Sequence, residues 1–340
     1  MKNTQSPNHK IGLILCGGGG KGAYQIGVWK ALREYGYESQ IAGLSGASVG
    51  ALNSALFAQG DWNNAEDVWL QVTQSDFLHI KDKARLLAQT TSGILNIPLF
   101  YATPFFNRLI LNLAALLMKF SVKLLSISKS SPTLEAQKTK LSAYHVAVYL
   151  MAYIFRTTIF TQDRLKEILM QQIHFSHETI KKYDVFSSVT VLNPVSKPIL
   201  DTEYITWAGK SEQEIIQLIL TSAALPVVYP YEEKDNVIFF DGGAIDTIPI
   251  KPLYDLGYRS FIVIPLANQT DKRFHRHWEQ MKQMYPDCRF LRINPSSTFG
   301  GGLLDTLTVN QRVTEQRIQA GYEDGSMVLK REGPSFFHQG

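Results

Sequence analysis

The stretch from Gly43 to Asn53, GLSGASVGALN, allows the backbone very few courses. It contains G-x-S-x-G, as Gly46, Ala47, Ser48, Val49 and Gly50. A short apolar run (Ile41, Ala42, Leu44) precedes the motif and a helix-compatible run, residues 51–58, follows it. That order predicts a strand, a sharp turn at Ser48 and a helix. Glycine on either side of the turn lets strand and helix approach closely, and the first amides of the helix would face an anion forming beside Ser48. These residue types suit a serine nucleophile. The same small residues also fill ordinary turns, so the rest of such a site has to be found elsewhere in the chain.

A second strand–loop–helix unit lies upstream. Ile11 to Cys16 is a buried strand pattern, Gly17-Gly18-Gly19-Gly20-Lys21-Gly22 is a loop, and residues 23–32 begin a helix. A phosphate-binding P-loop needs Gly five residues before Gly20 and Ser or Thr after Lys21; Leu15 and Gly22 stand there instead. Gly17, Gly19 and Gly22 satisfy the dinucleotide pattern G-x-G-x-x-G, with Glu38 near the place of a ribose-binding acid. The alternative is an oxyanion hole, because glycine amides carry no side chain to block a carbonyl and can converge on the charge that builds up when Ser48 attacks. The elbow some twenty residues on decides between the two: a nicotinamide enzyme has no use for it, whereas acyl transfer needs both parts.

With 340 residues, 45% of them hydrophobic and 19% charged, the chain can bury a large core, and one α/β domain with an insertion is expected. Two cysteines, Cys16 and Cys288, are too few for a disulfide framework, and no histidine spacing suggests a metal site. The apolar run at residues 11–16 is too short for a signal-peptide core, so a cytoplasmic location is expected without Sec-type export. Residues 61–76 read as a capped helix, with Trp62, Val68, Trp69 and Val72 as core.

Residues 98–160 differ in character. They hold seven basic residues against the single acid Glu135, a net +6, whereas the whole chain is +4. Within residues 105–127, Arg108, Asn112, Lys119 and Lys123 fall inside about 60° of one another at ~100° per residue, with leucines covering the remainder. A second apolar run covers residues 144–155. Neither run gives the roughly 18 uninterrupted apolar residues needed, so neither is expected to span a bilayer. The segment is expected either to cap the active site or to lie at a membrane interface, a peripheral contact at the inner membrane surface, and the two are compatible.

Beyond it, residues 163–172 read as an amphipathic helix, 185–192 and 199–207 as strands continuing a parallel sheet, 212–222 as a helix, and 237–240 as a buried strand ending at Asp241-Gly242-Gly243. A carboxylate at the carboxyl end of a strand, flanked by glycines, lies where α/β active sites form. An isolated D-G-G is more often a turn.

GGGGKG at residues 17–22, GASVG at 46–50 and DGG at 241–243, in that order and each at a strand end, resemble the patatin-like phospholipase family. Supporting text is Gly27-Val28, Leu52-Asn53, Ser222-Ala223-Ala224-Leu225-Pro226 and residues 249–252. The likeness covers about residues 10–90 and 160–330. It implies a three-layer α/β domain over residues 10–330 with a central, mostly parallel sheet, interrupted by the helical insert at 98–160. It further implies a lipid acyl hydrolase in which Asp241 acts as general base on Ser48 and Gly17, Gly18, Gly19, Gly20, Lys21 and Gly22 hold the oxyanion. Gly46, Gly50, Gly242 and Gly243 complete the elbow and the D-G-G motif. The expected substrate is a phospholipid or related acyl lipid, with no metal, cofactor or nucleic acid. Cys16, where a small polar residue is expected, and the long insert depart from the family pattern. Two alternatives stand beside it: a Ser-Asp-His esterase using Ser48, Asp241 and His275 or His277, and a lipid-binding module without catalysis.

Overall fold

The computed structural model describes residues 10–80, 160–175, 182–193, 196, 198, 200–226, 228–299 and 306–337. The basic insert expected at residues 98–160, including both of its apolar runs, lies outside them apart from Phe160.

β1 (Ile11–Leu15) is buried on both faces, as its unbroken apolar run requires of a central parallel strand. It leads through a short 3₁₀ turn, Gly19–Gly22, into α1 (Ala23–Glu34). β2 (Ile41–Ala47) turns at Ser48 into α2 (Val49–Gln59), two residues earlier than the apolar run alone suggested. The segment 61–76 is two helices. α3 (Trp62–Gln71) is capped by the Asp61 side chain, and α4 (Gln74–Phe77) by a reciprocal box of Thr73 and Asp76. Of the four side chains expected there as core, Val68, Trp69 and Val72 are buried and Trp62 is partly so. β3 (His79–Ile80) pairs antiparallel with β4 (Phe160–Thr161), so the chain leaves the described fold and returns to it at one place. α5 (Asp163–Gln172), β5 (Asp184–Leu192), β6 (Leu200–Thr206) and α6 (Glu212–Ser222) follow, then β7 (Glu232–Lys234) and β8 (Val237–Asp241). α7 (Lys251–Asp255), β9 (Ser260–Ile264), α8 (Lys272–Met284), β10 (Arg289–Arg292) and the long α9 (Gln311–Phe337) end the described chain.

β10, β9, β1, β2 and β5 form the parallel part of an 8-stranded sheet. The expectation that residues 199–207 continue it in parallel is overturned, since β6 runs antiparallel to β5. Residues 193–199 are too few for the crossover of roughly a dozen residues that parallel neighbours need. β8 is also antiparallel to β5. The two residues that join β7 to β8, Asp235 and Asn236, both have positive φ (54° and 62°), the conformation of a tight hairpin that reverses the chain.

β5 thus has three partners and only two edges. β6 pairs with Phe186–Leu192, overlapping both the stretch held by β2 (Asp184–Ser188) and the stretch held by β8 (Val189–Leu192). β2 and β8 therefore share the opposite edge, running towards each other. Ala47 lies opposite Ser188 and Asp241 opposite Val189, so the two strands meet head-on by their carboxyl ends.

On one face of the sheet α9 crosses α1 at backbone contact. Gly27 and Gly321 make this possible: a Cβ at Gly27 would collide with the Ile318 carbonyl, and one at Gly321 with the Tyr24 carbonyl. The Tyr24 hydroxyl donates to Asp324 at 3.1 Å across the same crossing. No helix among the described residues is long and apolar enough to cross a membrane.

Gly27→Ala should therefore destabilise the protein, although alanine is the better helix former by about 1 kcal/mol. Forcing the two backbones apart costs roughly 1–3 kcal/mol or more, and this term wins. Urea unfolding should show a lower midpoint for Gly27→Ala; a raised midpoint would mean the crossing is loose.

Candidate active site

The turn after β2 holds Ser48 at φ 55° and ψ −126°, a region that costs a non-glycine residue about 1–3 kcal/mol. Its surroundings enforce this. A Cβ at Gly46 would strike the Gly50 carbonyl in the first turn of α2, and one at Gly50 would strike the Leu15 carbonyl of β1. The Ser48 N–H donates to Ser222 Oγ at 3.0 Å, and that hydroxyl donates to the Ser188 carbonyl at 2.7 Å. A serine from the end of α6 thereby ties the elbow to β5.

Asp241 arrives from the opposite direction along the same edge of β5. Its N–H donates to the Ala224 carbonyl at 3.0 Å, and its carbonyl accepts from Thr190 Oγ1 at 2.8 Å. A Cβ at Gly242 would meet the Ser188 carbonyl, so only glycine lets the chain leave the strand here. The carboxylate accepts from the Gly243 N–H at Oδ1 (2.8 Å) and from Ser48 Oγ at Oδ2 (2.6 Å). The second distance is that of a charge-assisted hydroxyl–carboxylate bond. Asp241 is only 2% exposed, and burial pushes its pKa up to about 6 against the two hydrogen bonds that favour the ionised form.

The glycine loop lies against Ser48 on its other side: a Cβ at Gly17 would stand 3.2 Å from the Ser48 Cβ. Buried amides fix both ends of the loop. Gln25 Nε2 donates to the carbonyls of Cys16 (2.9 Å) and Ile264 (3.1 Å). Asn53 Nδ2 donates to the Gly22 carbonyl (2.9 Å) and to Gln25 Oε1 (2.8 Å), while Trp69 Nε1 donates to Asn53 Oδ1 (2.9 Å). Within the loop, the Lys21 N–H turns back to the Gly18 carbonyl at 3.3 Å. That amide is spent in the turn.

An apolar slot opens beside Ser48, lined among others by Val49, Leu52, Phe77, Leu165 and Leu307. Leu52, Phe77 and Leu165 also line a second apolar cavity that continues between α2, α3 and α5. His277 lines a different cavity, with Cys16, Gly17, Thr247 and Phe274. His275 and His277 both lie on α8, and direct contact of Ser48 Oγ with Asp241 leaves no place for an imidazole between them. Glu38, the ribose-binding candidate, accepts from Trp29 Nε1 at 2.9 Å and pairs with Arg33 at 3.3 Å. Cys16 is buried, which pushes its thiol pKa up. Among the described residues no cluster of three or more His, Cys, Asp or Glu could hold a metal ion.

Sequence reasoning gave no role to Ser222, Asn53 and Gln25, which hold the elbow and the loop in place. Ser222 and Asn53 fell within stretches that carried the family likeness, whereas Gln25 looked like any polar helix residue.

The model of the patatin-like phospholipase family matches residues 13–254. A stretch of 49 residues is 51% identical to lysophospholipase nte1 of Aspergillus terreus, covering 14% of this chain and 3% of that protein. Another comparison over 49 residues gives 49% identity to the patatin-like phospholipase domain-containing protein ZK370.4 of Caenorhabditis elegans, 14% of this chain and 4% of that one. The match thus spans only a few per cent of these curated relatives' length. Among solved structures, VipD from Legionella pneumophila aligns with 96% of this chain and 67% of its own, at 16% identity and a TM-score of 0.41. The type III effector ExoU aligns with 96% and 54%, at 17% identity and 0.41.

The folded protein holds the Asp241 proton up to about pH 6, whereas an unfolded aspartate releases it near pH 4. Stability from this group is therefore full below about pH 4, declines between pH 4 and 6, and is lost above that. Asp241→Asn removes the buried charge and keeps the hydrogen-bonding shape. It should melt several degrees above the parent at pH 8, an advantage that shrinks by more than half at pH 4.5. Equal melting of the two proteins at pH 8 would show that the carboxylate is not held against its ionisation.

Proposed function

The chain belongs to the patatin-like phospholipase family, and on that premise we propose that it is a lipid acyl hydrolase cleaving carboxylic esters of phospholipids or related lipids through an acyl-Ser48 intermediate. One observation carries the proposal: the 2.6 Å bond from Ser48 Oγ to Asp241 Oδ2, with no third group between them. A serine hydroxyl is a weak nucleophile unless a base takes its proton, and Asp241 is the base within reach.

In the first half-reaction Ser48 Oγ attacks the ester carbonyl carbon as its proton passes to Asp241 Oδ2. Negative charge gathers on the carbonyl oxygen, where the glycine-loop amides stabilise it. Collapse breaks the bond to the leaving alkoxide, which takes the proton from Asp241 and departs as the alcohol. The acyl chain occupies the apolar slot. In the second half-reaction Asp241 takes a proton from water, whose oxygen attacks the acyl carbon; Ser48 recovers its proton and the fatty acid leaves. Once Ser48 is acylated it no longer donates to Asp241, so one of the two bonds that favour the ionised carboxylate is gone. The base is then stronger when water needs it. A pKa of about 6 keeps most of Asp241 ionised at neutral pH without weakening it to an ordinary surface carboxylate.

The basic segment 98–160 is proposed as the part that meets the lipid surface. Its charge of +6 supports this, as do Phe77 and Leu165, which line the slot close to the β3–β4 pair where the chain leaves and returns.

Turnover of a soluble short-chain ester should test the base. For the parent, kcat/KM should fall about tenfold per pH unit below roughly pH 6 and level off above it. Asp241→Asn should lose roughly 10²–10⁴-fold, while the double variant His275→Ala/His277→Ala should stay close to the parent. A folded double-histidine variant as inactive as Ser48→Ala would move the assignment to a Ser-Asp-His triad.

A further inference from the structure

Beyond its contact with Ser48, the glycine loop is held by a part of the chain that lies outside the family match. Gly19 has φ +55°, and a Cβ there would collide with the Thr306 carbonyl. A Cβ at Gly20 would lie 2.7 Å from the Thr308 carbonyl oxygen, 2.7 Å from Val309 Cγ2 and 3.2 Å from Arg317 Nη1. The loop is therefore packed against Ser48 at Gly17 and against the backbone of Thr306 and Thr308 at Gly19 and Gly20.

Arg317 sits beside this contact. It is only 3% exposed, an unusual place for a guanidinium, and its Nη1 donates to the Thr308 carbonyl at 2.8 Å. The ring of Phe299 lies 5.9 Å from its Cζ. Its position along the chain is fixed by the α1–α9 crossing, since the next residue, Ile318, presents its carbonyl to Gly27. α1 itself starts where the glycine loop ends. Arg317 is thus registered against the same helix that the loop feeds into.

We propose that Arg317 is a positioning residue for the oxyanion loop. By holding the Thr308 carbonyl, it keeps the Thr306–Thr308 backbone pressed against Gly19 and Gly20, which sets the direction of the loop amides towards Ser48. The inference rests on the acyl-hydrolase reading above and adds to it a contribution from α9. An oxyanion hole works through donors placed where charge develops, so slackening this support should lower kcat far more than it raises KM; Leu307, on the same backbone stretch, is one of several side chains lining the slot.

The test uses the full-length protein, a soluble short-chain ester and a fluorophosphonate probe. Arg317→Met keeps the length of the side chain without its donors and should lower kcat by about 10²-fold with KM nearly unchanged. Labelling of Ser48 by the probe should slow in step, because the phosphonyl oxygen needs the same amides. Arg317→Lys still places a cationic donor near Thr308 and should recover to within about tenfold of the parent. Gly20→Ala intrudes on the same contact from the other side and should show the same kcat-selective loss. Combined with Arg317→Met it should cost less than the product of the two, as coupled neighbours do.

The proposal is overturned if folded Arg317→Met keeps kcat within threefold, or if Arg317→Lys is as poor as Arg317→Met, which would leave only packing. Should Arg317→Met not fold, Gly20→Ala carries the test, and an unchanged kcat there overturns the proposal. A parent that neither hydrolyses the ester nor takes the probe would instead bring down the acyl-hydrolase reading itself.

Discussion

Two strands that share one edge of β5 and run into each other are the constraint on which the site depends. β2 ends at Ala47 opposite Ser188, and β8 ends at Asp241 opposite Val189, so the next residue after one strand meets the last residue of the other. No loop has to reach across the molecule to bring Ser48 and Asp241, which lie far apart in the chain, to 2.6 Å. β5 supplies the ruler. It also supplies the Ser188 carbonyl, which takes the Ser222 hydroxyl that in turn receives the Ser48 N–H, and the Thr190 hydroxyl, which binds the Asp241 carbonyl. Elbow and aspartate are thus pinned to residues 188 and 190 of one rigid buried strand, the kind of support that the proposed reaction needs.

Two features of the candidate site work against folding and suit the proposed chemistry. Ser48 is held in a backbone region costly for any residue but glycine, and Asp241 is buried so deeply that its carboxyl resists ionisation up to about pH 6. Either would be lost if its surroundings were less determined. The close contacts at Gly46, Gly50 and Gly242 leave the chain no other course, and the large core, with Trp29, Trp69 and Trp207 almost fully buried, offsets the cost. On the proposed function, stability lost in this way is expected where the chemistry needs strain and a perturbed pKa.

Much of this was legible in the sequence, because small residues at fixed spacing admit few backbones. The elbow, the glycine loop and α6 could be read locally. Asp241 was placed at the right end of its strand on an incomplete premise: the strand is antiparallel, and its carboxyl end reaches the site by running against β2 along β5. The hairpin residues Asp235 and Asn236 are the local signal of that reversal. The antiparallel β6 was hidden because a strand pattern does not state its direction; only the short link before it does. Ser222, Gln25, Asn53 and Arg317 could not be assigned from local pattern, since each acts on a backbone group distant in the chain or packed beside the loop. Residues 98–160 were legible as basic and apolar, and how they fold lies outside the described residues.

The most direct test of the account is to react the native protein with a fluorophosphonate at neutral pH and map the modified peptide. The geometry predicts a single label on Ser48, lost in Ser48→Ala and slowed when Asp241 is protonated at low pH. A label on another residue, or none on a protein that hydrolyses ester, would contradict the assignment of Ser48 and with it the role of the meeting between β2 and β8.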